Sequence, residues 1–202
     1  MTDALLQVIT EQNASLDEHV ERVSEMAGML AIAVGQPTPE VQRIRLAAKL
    51  HDIGKTAIPA AILDKPSPLN EREWEFMHRH PVIGARIVST APALADTALL
   101  IHSSHERIDG LGYPDGLKGE NIPIGSRIIA VCDAFEAMTS DRPYHRGIGT
   151  DEALEELKHH AGTQFDATIV EAFCNNPTLR AESPAHPQPK RAHPSSQTVI
   201  VE

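Results

Sequence analysis

The strongest constraint on the fold of this chain is an apolar stripe near its N-terminus. Its members, alternately four and three residues apart, are Leu16, Val20, Val23, Ala27, Leu30 and Val34. This spacing places them on one face of an amphipathic α-helix. Helical patterns recur in residues 38–54, 71–79, 81–90, 92–106, 126–139, 151–160 and 166–174, and no segment sustains a period of two. The sequence therefore predicts an all-α fold.

Residues 107–125, RIDGLGYPDGLKGENIPIG, interrupt the helical patterns with five glycines and two prolines. Such a composition makes turns and ends helices. A loop longer than about 15 residues inside a compact domain is usually functional or disordered. We interpret this loop as functional, because it lies between two strongly helical segments.

The length of 202 residues fits one domain with an appendage. We assign residues 16–174 to this domain and residues 1–15 to an N-terminal helix or linker. Residues 175–202 are rich in proline and poor in large apolar side chains, which predicts a disordered tail.

The composition excludes several classes of function. A formal net charge of −10 disfavours binding of long nucleic acid, and an anionic ligand would need local cations or metals. The sequence contains no apolar run of membrane-spanning length and no basic leader, so we expect neither a membrane span nor secretion. Cys132 and Cys174 lie outside any CxxC spacing, which is typical of a reducing compartment and predicts a cytoplasmic protein.

His51 and Asp52 lie in the segment KLHDIGK at the end of a predicted helix. Gly54 permits a tight turn there, and Lys55 adds a cation beside the imidazole and the carboxylate. Two interpretations of this segment remain open: metal or phosphate chemistry, and a plain helix cap with a solvated lysine. His19 borders the apolar stripe, where a satisfied core histidine is the simplest interpretation.

Asp133 interrupts the apolar helix IIAVCDAFEAM, and a buried lone carboxylate is costly. An ion pair and a metal both remain open. His102 and His105 are three residues apart and share a predicted helix face, so they are either a metal pair or a polar helix end. At most one of His78 and His80 can face the interior.

Six candidate groups together form a nitrogen and oxygen donor set without thiolate. They are His19, His51, Asp52, His80, His105 and Asp133. Such a set suits Fe, Mn, Zn, Ni or Co, and helices of a bundle can present it inward. Two metals that share Asp52 would be a natural arrangement.

The motifs, in their order and spacing, resemble the HD-GYP subgroup of the HD superfamily over residues 16–173. The matching segments are HVERV (19–23), LHDIGK (50–55), ILDKPSPLN (62–70), HPVIGARI (80–87), SHERIDGLGYPDGL (104–117), IPIGSRIIAVCDAFEAMTSDRPY (122–144) and GTQFD (162–166). The resemblance implies an HD-type helical bundle with a long Gly/Pro-rich GYP loop. It also implies a bi- or trinuclear metal centre and phosphodiesterase activity on cyclic di-GMP.

The resemblance also assigns roles to individual residues. It implies that the six donors named above hold metal, that Asp52 and Lys55 are catalytic, and that Lys55, Arg142 and Tyr113 bind substrate. The loop motif consists of Asp109, Gly110, Gly112, Tyr113 and Pro114. In the family this loop shapes the site and recognises partners, which here would be GGDEF-type or other signalling domains.

Three positions depart from the family pattern. Ser15 stands where trinuclear members have a glutamate, so we expect two divalent transition metals, such as Fe or Mn, rather than three. Ser104 replaces the first histidine of the HHE triplet, which would leave one metal with Asp52, His80, His105 and solvent. Ile108 stands where the loop commonly has tryptophan.

The expected reaction is hydrolysis of cyclic di-GMP to linear pGpG, and to GMP if the opened product rebinds. One alternative, favoured by Ser104, is a degenerate module that binds cyclic di-GMP or a signalling partner without turnover. Another is an HD hydrolase that acts on a different nucleotide phosphate, which the GYP loop disfavours. A homodimer through the N-terminal residues is a further hypothesis.

Overall fold

The computed structural model describes residues 14–141 and 146–181, and within these ranges the chain forms ten α-helices and no β-strand. The all-α prediction is therefore confirmed. Three 3₁₀ segments lie between the helices, at Ile53–Ala57, Ala95–Thr97 and Gly119–Asn121. The helices are α1 (Ala14–Ala33), α2 (Thr38–Leu50), α3 (Ala60–Leu63), α4 (Glu71–Met77), α5 (His80–Ser89), α6 (Ala98–His102), α7 (Ile124–Thr139), α8 (Thr150–His159), α9 (Ala167–Cys174) and α10 (Pro177–Ala181).

The core forms where α1 packs along α2 and α7. Val23, Ala27 and Leu30 of the predicted stripe are fully buried there, opposite Ile44 and Ala48 of α2. Helix α7 is buried on nearly every side, as expected for a helix that is apolar around its whole circumference. The two acidic side chains of this central helix therefore lie inside the protein.

Helix α10 extends the helical unit beyond the boundary predicted at residue 174, to residue 181. Leu179 of α10 is fully buried, and α10 packs against α1 and α9. Pro177 belongs to the segment predicted as a disordered tail, yet it occupies the first turn of α10, where proline is tolerated. Residues 1–13 and 182–202 lie outside the described residues.

The segment predicted as one helix over residues 92–106 is broken into a 3₁₀ turn and the short α6, which ends at His102. The long loop that follows is tied to the segment after α8. The backbone amides of Ile108 and Asp109 donate to the carbonyls of Gln164 and Thr163, at 3.3 and 2.9 Å. In the described part of the chain, no helix has the length and apolar character needed to cross a membrane.

Candidate metal centre

Three helices bring together a first group of donors, which we call the first triad. It comprises His19 of α1, His51 directly after α2, and Asp133 of α7, with ligand atoms that all lie within 4.8 Å of one another. Asp133 Oδ1 is 3.4 Å from His19 Nε2 and 3.7 Å from His51 Nε2. The buried carboxylate of α7 thus faces two imidazoles.

A second group, the second triad, comprises Asp52, His80 and His105. His80 Nε2 lies 3.3 Å from Asp52 Oδ1 and 2.9 Å from His105 Nε2. His105 Nε2 is 4.0 Å from the same carboxylate oxygen. All six predicted donors therefore lie in one of two adjacent triads.

Asp52 lies between the triads. Its Oδ1 faces the histidines of the second triad, while its Oδ2 is 3.5 Å from His51 Nε2 and 2.9 Å from Lys55 Nζ. Gly54 makes this arrangement possible, because a Cβ there would lie 1.9 Å from the carbonyl oxygen of His80. The turn that carries Asp52 can therefore approach α5 only without a side chain at position 54.

Three of the histidines are oriented through their second ring nitrogen. His51 Nδ1 donates to Ala48 O at 2.7 Å, His80 Nδ1 donates to Met77 O at 2.8 Å, and His19 Nδ1 contacts the Glu136 carboxylate. Each of these contacts fixes the ring and leaves Nε2 directed toward the centre. Metal-binding histidines in proteins are commonly held in this way.

Glu136 is a functional candidate that the sequence analysis missed. Its side chain is buried, and its Oε1 accepts from Arg22 at 2.5 Å and from the Ser140 hydroxyl at 2.6 Å. The available signal was a second acid three residues after Asp133 in the same apolar helix. Because the two side chains share a helix face, both could have been predicted to reach His19.

The titration of these groups follows from burial and from their neighbours. Burial opposes protonation of His19, yet hydrogen bonds to Asp133 and Glu136 raise its pKa to about 9. Burial likewise opposes ionisation of Asp52, but the charge of Lys55 holds the pKa of that carboxyl well below its usual range. Burial and the neighbouring His80 lower the pKa of His105, which stays neutral.

The donor set fits divalent metal ions. His51 Nε2 and Asp52 Oδ1 are buried, and neither has a hydrogen-bond partner within the described ranges. Orphaned polar atoms are costly in a protein interior, and these two belong to the two triads. Imidazole nitrogens and carboxylate oxygens are the ligands preferred by iron, manganese and zinc.

Some sequence candidates lie apart from the triads. His102 does not share a face with His105 because α6 ends at His102, and its Nε2 instead lies 2.8 Å from Asp115 Oδ2. The Ser104 hydroxyl is buried and donates to Ile101 O at 2.9 Å. Arg142 and the Ser15 side chain lie outside the described residues, so their predicted roles stay predictions.

Tyr113 connects the long loop to the second triad. Its ring stacks on His105 at 5.1 Å and 2° between planes, and on His78 at 4.1 Å and 23°. Gly112 lets the loop lie against the backbone that follows His105, since a Cβ there would be 2.3 Å from Arg107 N. Of the other motif residues, Asp109 pairs with Arg107 at 2.6 Å.

Glu106, which the sequence analysis did not single out, anchors the same loop. Its buried carboxylate accepts from the backbone amides of Asp115 and Leu117, at 2.7 and 2.9 Å. Glu106 directly follows His105, so this anchor is adjacent to a candidate metal ligand. The sequence signal for this role was an acidic residue directly before a glycine-rich loop.

A family model described as HD domain matches residues 3–169 of the chain. The chain is 42% identical over 171 residues to the cyclic di-GMP phosphodiesterase response regulator RpfG of Xanthomonas campestris pv. campestris, a match that covers 84% of the chain and 45% of that protein. It is 36% identical over 169 residues to 3'3'-cGAMP-specific phosphodiesterase 2 of Vibrio cholerae, which covers 83% of the chain and 32% of that protein. The chain thus spans less than half the length of these curated relatives.

Among solved structures, the fold resembles the crystal structure of a cyclic GMP-AMP specific phosphodiesterase of Vibrio cholerae, V-cGAP3. The TM-score is 0.63 at 22% identity, and the match covers 80% of the chain and 44% of that chain. At this identity the likeness supports the fold alone. It agrees with the all-helical architecture described above.

Proposed function

Since the chain belongs to the HD domain family, and within it to the HD-GYP subgroup, we propose that it is a metal-dependent phosphodiesterase that hydrolyses cyclic di-GMP. The observation that carries this proposal is Asp52, whose two oxygens face different triads while Lys55 Nζ lies 2.9 Å away. A carboxylate in this position suits two neighbouring cations, and the lysine suits an anionic substrate. The activity named for the Xanthomonas relative gives the substrate class.

We propose two divalent transition metal ions, such as iron or manganese, as the cofactors. His19, His51 and Asp133 would hold one ion, His80 and His105 the other, and Asp52 would contribute to both. Two ions, when bound, supply Lewis acidity toward a phosphodiester and activate water for attack on phosphorus. Elemental analysis of protein purified anaerobically tests the number, and three ions per chain would contradict it.

The side chains around the centre have separate tasks in this proposal. Lys55 keeps Asp52 ionised and neutralises charge that grows on the phosphate in the transition state. The Nδ1–H groups of His51 and His80 donate to backbone carbonyls, so these rings would act as ligands through Nε2 rather than as proton donors to substrate. Arg142 would hold phosphate oxygens in a bidentate manner. The product would be pGpG, with GMP formed if pGpG rebinds.

Two alternatives have specific support. Ser104 supplies a hydroxyl bound to Ile101 O where the family has a histidine, which favours a module that binds cyclic di-GMP without turnover. The similarity to the Vibrio cGAMP-specific enzyme favours a different cyclic dinucleotide as substrate. Both alternatives keep the same binding site.

The remaining assignments are part of the same proposal. We place the catalytic unit in residues 14–181. We locate the protein in the cytoplasm, because its two cysteines are free and thiols stay reduced in that compartment. The GYP loop would present Leu111, which is 77% exposed, to a signalling domain such as a GGDEF domain. A homodimer through residues 1–13 can be tested by light scattering of the chain with and without that segment.

The decisive experiment is hydrolysis by anaerobically metal-loaded protein, with products separated by chromatography. Cyclic di-GMP, 3'3'-cGAMP and bis(p-nitrophenyl) phosphate are offered in parallel. Metal-dependent formation of pGpG supports the proposal. Faster hydrolysis of 3'3'-cGAMP than of cyclic di-GMP would assign 3'3'-cGAMP as the substrate instead. If fully metal-loaded protein binds cyclic di-GMP but does not hydrolyse it, the protein is the binding module without turnover.

A further inference from the structure

A cavity of about 170 Å³ opens beside the second triad. Two of its lining residues touch that triad, because Lys55 Nζ lies 2.9 Å from Asp52 and the Met77 carbonyl accepts from His80 Nδ1. The rest of its wall is formed by Trp74 of α4 and by the segment before α4, at Ile62, Leu63, Lys65, Ser67, Pro68 and Leu69. A ligand whose phosphate is held by Lys55, beside Asp52, would extend directly into this space.

The size of the cavity indicates what it can hold. Pockets that enclose a whole drug-sized ligand have volumes of roughly 300–1,000 Å³. This cavity is smaller, so it suits one flat ring system of a ligand rather than an entire cyclic dinucleotide. The remainder of the ligand would lie over the triads.

Trp74 gives the cavity an aromatic wall. It is the single tryptophan of the chain, and its half-buried indole packs against the His78 ring at 5.3 Å between centroids. His78 in turn stacks on Tyr113, which stacks on His105. A continuous row of rings therefore leads from the cavity to the second triad.

The wall is also held in place before any ligand arrives. Asn70 caps α4 by accepting from Glu73 N, while the Glu73 carboxylate accepts from Asn70 N at 2.7 Å. Lys65 Nζ, 2.5 Å from the same carboxylate, ties the preceding segment to the helix. Because the backbone that carries Trp74 is capped and cross-linked, little ordering is needed on binding.

We propose that this cavity is the subsite for one purine base of the substrate, with Trp74 as the stacking face. The inference rests on the proposed function, since it assigns the base next to the phosphate that lies at Asp52. Purines stack on aromatic side chains whatever their edge groups, so Trp74 provides affinity for a nucleobase. Lys55, between the cavity and Asp52, lies where base and phosphate meet.

Trp74→Ala tests the subsite. Loss of one stacked base corresponds to roughly 5- to 150-fold in affinity, so we expect KM for cyclic di-GMP to rise by that factor with kcat changed much less. The metal content of Trp74→Ala should match wild type. Trp74→Phe keeps a stacking face and should restore most of the affinity.

Phe76→Ala is the matched control, because Phe76 lies on the same helix, is 45% exposed and does not line the cavity. It should leave KM unchanged. An unchanged KM in Trp74→Ala, or an equal rise in Trp74→Ala and Phe76→Ala, would overturn the subsite.

Fluorescence of the single tryptophan gives a second readout that does not need turnover. Saturating cyclic di-GMP should quench wild-type emission, whereas ribose 5-phosphate, which has no ring that can stack, should leave it unchanged. Quenching without hydrolysis would support the subsite and refute the proposed activity. Hydrolysis without quenching would leave the activity standing and overturn the subsite.

Discussion

The two triads differ in how their members are held. In the first triad both histidines have hydrogen-bonded supports, namely Glu136 for His19 and Ala48 O for His51. In the second triad His80 has such a support, but His105 Nδ1 is buried and has no hydrogen-bond partner among the residues that the structure describes.

His105 is positioned instead by ring contacts with His80 and Tyr113. A hydrogen bond from a ring nitrogen to a carboxylate or a backbone carbonyl fixes the ring in position and tautomer, whereas stacking fixes mainly its plane. The first triad is therefore preorganised by the helical core. The second triad depends on how the long loop is packed.

The largest effect is expected at the carboxylate that both triads share. Asp52→Asn should lower hydrolysis of cyclic di-GMP by more than about 100-fold, because even partners outside the ligand shell change metal affinity 10- to 100-fold. His105→Ala should cost one ion per chain, whereas Asp52→Asn should weaken both, as elemental analysis after dialysis can show. His102→Ala, which removes only the contact to Asp115, should keep the wild-type metal content. Substantial hydrolysis by Asp52→Asn would refute the shared carboxylate.

The second prediction tests the support of the first triad. Glu136→Gln keeps the shape of the side chain but removes the charge that faces His19 and Arg22, so metal affinity of the first triad should fall about 10- to 100-fold. Graded chelator competition followed by metal analysis measures the loss. Ser140→Ala, which removes a hydroxyl that contacts Glu136 but leaves the charge, should have a much smaller effect. Equal losses in the two variants would show that the charge is not what holds His19.

The third prediction concerns the weaker side of the comparison. Ser104→His should strengthen metal binding at the second triad by at least about 10-fold, because the new imidazole adds a metal ligand. It would do so beside His105, whose Nδ1 has no hydrogen-bond partner in the described residues. Ser104→Ala should leave metal affinity unchanged, since the hydroxyl is bound to Ile101 O. Metal loss in Ser104→Ala would mean that the hydroxyl is itself a ligand.

The smallest effect is expected from the loop ring that covers His105. Tyr113→Ala removes a stacking contact of about 0.5–1.5 kcal/mol, which corresponds to a roughly 2- to 12-fold weaker second ion. Tyr113→Phe keeps the ring and should retain the affinity. If the first ion weakens as much as the second in Tyr113→Ala, the triads are not held independently, and the contrast between them fails.

The sequence pointed to the six candidate donors that the structure brings together, but their division, with Asp52, His80 and His105 in one group, was implied by the family resemblance and not by periodicity. Burial of the stripe from Val23 to Leu30 could be predicted from local spacing alone. That Asp52 lies between His51 and His80 depends on the close approach of Gly54 to α5, a contact between segments that are distant in the sequence. Periodicity carries no information about such a contact.

The errors have equally local causes. The α6 helix was predicted too long because Ser103, Ser104 and His105 fit a helical pattern, while the structure turns into the loop there. Glu136 was missed because one buried acid in an apolar helix already drew the interpretation to Asp133. The proline-rich composition of residues 175–202 predicted disorder from its start, although Pro177 begins a helix.

Glu106 holds the long loop by two backbone amides rather than by side chains. Such an anchor accepts any residue except proline at positions 115 and 117, but it depends on the number of residues that separate them from Glu106. Substitutions in the exposed part of the loop, such as at Leu111, are therefore free to accumulate, whereas insertions and deletions are not. We therefore expect that this loop can change what it recognises only if its length, and with it the position of His105, is kept.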